Sequence, residues 1–82
     1  MKVLSAETNL SSATNISSAS IVRIFNSDSS VATVTKKDSG GSTIGTFTIL
    51  ANTSEMLEKN PTNIVFVNAG TDVLGAKVGY TN

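Results

Sequence analysis

Val31-Ala32-Thr33-Val34-Thr35-Lys36-Lys37-Asp38-Ser39-Gly40-Gly41-Ser42-Thr43-Ile44-Gly45-Thr46-Phe47-Thr48-Ile49-Leu50 decides the fold of this chain. In its first half Val31, Thr33 and Thr35 alternate with Ala32, Val34 and Lys36. In its second half Ile44, Thr46 and Thr48 share one face while Phe47 and Ile49 share the other, the period-two pattern of half-buried strands. Between the halves stands a turn whose paired glycines tolerate the positive φ that tight connections require. The stretch reads as a β-hairpin.

The same grammar extends in both directions. Upstream, Ile21-Val22-Arg23-Ile24-Phe25 is an apolar run broken by one arginine and reads as a central strand, closed by the turn residues Asn26-Ser27-Asp28-Ser29. Downstream, Ile64-Val65-Phe66-Val67 has four consecutive apolar residues, which predicts burial on both faces, as in a sandwich core or at a subunit interface. A further turn over residues 68–72 leads to a closing strand over residues 73–81, with Val78 and Tyr80 on one side and Lys77 and Gly79 on the other. A short first strand is expected over residues 2–5. Residues 53–59 can be read two ways: Asn52 and Glu55 have the spacing of a capping box ahead of a helix, but a segment so short makes a marginal helix, and the balance favours a strand. The expected architecture is all-β: one domain over residues 1–82, a small antiparallel sandwich or flattened barrel of about seven short strands.

Residues 6–18 stand apart. Ser, Thr and Asn dominate there, and Leu10 and Ile16 are the only large apolar side chains. Side chains of this kind compete for backbone hydrogen bonds and weaken regular structure. The segment reads either as a surface loop or as an arm that orders against a neighbouring subunit.

Composition narrows the function. The 82 residues include no His, Cys or Trp, which removes most of the side chains that perform acid–base, nucleophilic and soft-metal chemistry near neutral pH. The glycines of residues 39–46 lack the lysine and following helix of a phosphate-binding loop. Asn68-Ala69-Gly70 to Gly75 lacks dinucleotide-binding spacing and has no room for a βαβ unit after it. Glu55 and Glu58 fall on opposite faces of a strand, unlike a hydrolytic carboxylate pair. No loop shows the acidic spacing of a calcium site. Neither an enzyme nor a cofactor or metal site is expected.

Six basic and six acidic side chains cancel, so total charge draws the chain neither onto nucleic acid nor onto an anionic membrane. The opening Met1-Lys2-Val3-Leu4-Ser5 lacks the apolar run of a secretory signal, and the chain is expected to be soluble, with its Asn-X-Ser patterns arising from composition alone. Without disulfides or zinc, a domain this small is expected to gain apolar burial from copies of itself or from a scaffold. Candidate contact residues are Leu10 and Ile16 in the arm, Arg23 as a strand charge seeking solvent or an intersubunit ion pair, and the aromatics Phe66 and Tyr80. The run Ile64 to Val67 is expected to contribute to the same contacts.

The short Met-Lys-Val-Leu start, the Ser/Asn-rich stretch, Ala19-Ser20-Ile21-Val22-Arg23-Ile24-Phe25-Asn26, Thr46-Phe47-Thr48-Ile49 with Ala51-Asn52-Thr53-Ser54, Leu57-Glu58-Lys59-Asn60-Pro61-Thr62 and Ala76-Lys77-Val78-Gly79-Tyr80 together resemble the small β-rich structural proteins of tailed bacteriophages, particularly marine cyanophages. That resemblance implies a virion component such as a capsid decoration or cement protein. Its expected partners are the major capsid protein or another virion protein and further copies of itself. It supplies no catalytic residues. The competing expectation is a tail- or fibre-associated structural protein or a carbohydrate-binding adhesion module, which would show aromatic and polar side chains on one exposed sheet face.

Overall fold

The computed structural model describes residues 1–68 and 72–80, and all the secondary structure in them is β. Eight strands occur among the described residues: β1 (Lys2–Val3), β2 (Thr8–Asn9), β3 (Ile21–Asn26), β4 (Ala32–Lys37), β5 (Thr43–Ile49), β6 (Ser54–Glu58), β7 (Ile64–Val67) and β8 (Val73–Gly79). They form two antiparallel sheets. One has the order β1-β8-β3-β6, with β2 also on β8; the other has the order β5-β4-β7. The body measures 35 × 29 × 17 Å, two layers thick with two broad outer faces.

The alternation read from the sequence in β4 and β5 is present, and the strand pleat sorts the apolar runs of β3 and β7 in the same way. Val22 and Ile24 of β3, Val73 of β8, Ala32 and Val34 of β4, Ile49 of β5 and Val65 and Val67 of β7 point inward and are buried together. Residues 53–59 resolve as a strand, and β3 is central between β6 and β8. Residues 69–71 of the expected turn, and Thr81 of the expected closing strand, lie outside the described residues. The hairpin forms as expected: Asp38 N–H donates to Ser42 O, the Asp38 carboxylate accepts from Gly40 and Ser42 N–H, and Gly41 takes φ +91°.

The structure gives two segments a definite place within the chain. Residues 6–18 close the domain's own side. Leu10 N–H donates to Val73 O on β8 and Leu10 O accepts from Val67 N–H on β7, while Thr14 exchanges both main-chain bonds with Val65. The segment thus links one edge of each sheet, a partial step toward the flattened barrel. Its polar side chains sit outside while Leu10 and Ile16 fill the core. The other segment is Ile64 to Val67, which the chain itself covers on one face only. Val65 and Val67 are buried but Ile64 and Phe66 are only half-buried, because no layer of the described residues covers the outer face of the three-stranded sheet.

Backbone strain is concentrated in one turn of that closing segment. Ile16, Ser17 and Ser18 all take φ near +55°, with Ala19 N–H donating to Asn15 O and Ile16 O and Ser18 N–H to the Asn15 side chain. Left-handed helical geometry costs about 1–2 kcal/mol per non-glycine residue. Burial of Ile16 holds it in place. Ser17 and Ser18 are exposed and contribute no such burial. Replacing Ser17 with glycine is therefore expected to raise the unfolding free energy by about 0.5–1 kcal/mol, since relief of strain outweighs the added flexibility of the unfolded chain. Urea denaturation measures it; no gain would mean that the turn is not left-handed at this position.

Candidate functional site

Of the two broad faces, the outer face of the five-stranded sheet has the more developed shape. Arg23 and Phe25 of β3 share it with their register partners Met56 and Ser54 on β6 and Ala76 and Leu74 on β8, and Val3 of β1 joins through Val78. Val3 is 67 % exposed and Met56 44 %. The face is thus mainly apolar with one central cation, and Glu58, opposite Ile21, stands at its margin. Beside that cation lies an open concavity of about 510 Å³ lined by Met1, Val3, Ala6, Ala76 and Val78, with Glu7 and Arg23 as its charged members.

The concavity has a simple local cause. Leu4 N–H bonds Lys77 O and Thr8 stands opposite Gly75, so residues 5–7 have only Ala76 to face and must bulge away from β8. Ser5 Oγ repairs the ladder by accepting from Lys77 N–H. The bulge brings Glu7 to Arg23, whose Nη1 lies 3.9 Å from Glu7 Oε2, and the guanidinium also stands 5.8 Å from the Phe25 ring centroid. Arg23 therefore has an ion-pair partner within the chain. Both partners are well exposed, so the pair itself contributes at most about 1 kcal/mol.

Tyr80 follows β8, and the alternation of Val78 and Tyr80 places it at the same face, 60 % exposed. Phe66 lies on the opposite broad face, where Lys37 Nζ stands 4.8 Å over its ring and Thr33, Thr35, Thr46 and Thr48 pair across β4 and β5. Leu10 and Ile16 are between the two faces, at 0 % and 2 % exposure. The five candidate residues consequently form no single site: Arg23 and Tyr80 share one face, Phe66 lies on the other, and Leu10 and Ile16 are removed from the surface by core packing. Sequence reading missed Met1, Val3, Ala76 and Val78. The alternation of β8 carried the signal for Ala76 and Val78; the bulge that completes their surroundings had none.

Charge away from this face is modest. Lys59 is buried at the end of β6, its Nζ donating to Asn60 O and Pro61 O at 3.4 Å; burial, then the Lys36 ammonium, holds its pKa below the usual lysine value. Asp28 accepts from Asp72 and Ser30 N–H groups, which lower its pKa from the ordinary carboxylate value. Among the described residues, no three His, Cys, Asp or Glu side chains gather as a metal site. Comparison with protein-family models, curated proteins and solved structures finds no match to this chain.

Proposed function

We propose that this chain is a non-enzymatic virion structural protein, a capsid decoration or cement protein that binds a repeated protein surface. The observation that carries the reading is the outer face of the five-stranded sheet. It is broad and mainly apolar, with Val3, Met56 and Tyr80 exposed around the Arg23–Glu7 pair and Glu58 at the margin. Protein contact surfaces combine apolar anchors with aromatic and arginine side chains in this way. The composition supports it, since a chain without His or Cys has little with which to run acid–base or thiol chemistry. The resemblance to small phage structural proteins supplies the virion context. A carbohydrate-binding module draws less support, because Lys37 stands over the Phe66 ring that would otherwise offer a stacking surface.

Quantitative mass spectrometry of purified virus particles from the source tests the proposal. Hundreds of copies of the chain per particle are expected if it decorates the head. A few dozen or fewer would assign it to tail or vertex, and its absence from particles would refute a virion role.

A further inference from the structure

The two sheets end in two different kinds of edge. β6 closes the five-stranded sheet and carries Glu55 and Glu58, charges that discourage strand addition. β5 closes the three-stranded sheet with Thr-Ile-Gly-Thr-Phe-Thr-Ile, seven residues without a charge or a proline. Uncharged edges of this length invite pairing.

The ladder shows which main-chain groups are open. Thr33 N–H reaches the Asn68 side chain, and Val65 and Val67 bond outward to Thr14 and Leu10. Thr33 and Thr35 therefore face β7, and Ala32, Val34 and Lys36 face β5, bonding Ile49, Phe47 and Gly45. By alternation, the N–H and C=O groups of Thr46 and Thr48 point out from the sheet edge.

We propose that this edge pairs with the same edge of a second copy, antiparallel about a two-fold axis through Phe47. The pattern around Phe47 is self-complementary. In that register Thr46 lies opposite Thr48 of the other copy and exchanges two main-chain bonds with it on each side of the axis. Ile44 and Leu50, exposed at 52 % and 60 %, stand three residues on either side of Phe47 and so meet each other across the axis. Phe47, half-buried against the core margin, meets its own mate in the close non-hydrogen-bonded position, where aromatic pairs are favoured. No charge meets a like charge within the paired strands. The product is a continuous six-stranded sheet, an isologous dimer of the kind that closes with two-fold symmetry. It leaves the Arg23 face free and holds whether or not the virion reading does.

Sedimentation velocity of the full chain across a wide concentration range, combined with amide hydrogen exchange, tests it. A monomer–dimer equilibrium is expected, with Thr46 and Thr48 amides gaining at least tenfold protection as the dimer forms. Thr46→Lys with Thr48→Lys sets lysine against lysine across the axis and is expected to raise the dissociation constant more than tenfold while the thermal midpoint of the dilute monomer stays within a few degrees. Thr46→Pro, which removes one outward N–H, should weaken association as well. A chain monomeric at every concentration, or a dimer in which the double lysine variant associates normally or these amides stay unprotected, overturns the proposal.

Discussion

Leu10→Ala is expected to lower the unfolding free energy of the isolated chain by about 2–5 kcal/mol, the range for emptying a well-packed core leucine site. Leu10 is completely buried, and its side chain lies on Gly75 so closely that a Cβ added there would come within 3.1 Å of both its methyl carbons. Its main chain bonds Val73 on one sheet and Val67 on the other. The methyl groups thus fill the space where the closing segment meets both layers. A domain of this length has a total stability of roughly 4–12 kcal/mol, so one substitution removes a large fraction of it. Urea denaturation measures the loss, and Leu50→Ala at an exposed position is the control, expected to change stability by less than about 0.5 kcal/mol in dilute solution. An arm ordered only by a neighbour predicts the reverse: Leu10→Ala would then be silent in the monomer. A silent variant would restore the arm.

The contrast explains how far this sequence could be read. Strand identity was legible because β4 and β5 alternate with period two, as a half-buried sheet requires, and because β3 and β7 are short apolar runs bounded by turn residues. The hairpin turn was legible because Gly41 needs a φ that other residues avoid. What residues 6–18 do was hidden. Their contribution is main-chain bonding to strand edges, to which side-chain composition gives no key, and the left-handed turn at Ile16 runs against the preference of a β-branched residue. The candidate site was hidden for a different reason. β3 pairs with β6 and β8, far along the chain, and not with its neighbour β4, so adjacent segments lie in opposite layers. Phe66 and Arg23 each read correctly as members of a strand, but only sheet order determines that they face away from each other.

Sheet order in turn depends on the corner where the chain changes layer, and Asn26→Ala is expected to cost about 3 kcal/mol there. Asn26 ends β3, is fully buried, and makes five hydrogen bonds: Nδ2 donates to Ser30 O and Ile49 O, Oδ1 accepts from Asp28 N–H, and its main chain bonds Thr53 O and Asn52 N–H. It thereby ties the crossing from β3 to β4 to the crossing from β5 to β6. Alanine keeps the two main-chain bonds but leaves the Ile49 carbonyl, in a buried bond, and the part-buried Ser30 carbonyl and Asp28 N–H without their side-chain partner; each orphaned buried group costs about 1–3 kcal/mol. Asn26→Asp separates the donor role from the acceptor role. It keeps the acceptor for Asp28 but turns a carboxylate toward two carbonyl oxygens, which raises its pKa in the folded state above the unfolded value. The folded chain then binds a proton more tightly than the unfolded chain, so this variant is expected to regain stability as pH falls through the raised pKa, relative to the parent over the same range. Denaturant midpoints from neutral to mildly acid pH measure both effects. A pH-independent deficit in Asn26→Asp, or a loss below about 1 kcal/mol in Asn26→Ala, would show that the corner is held by its main-chain bonds alone.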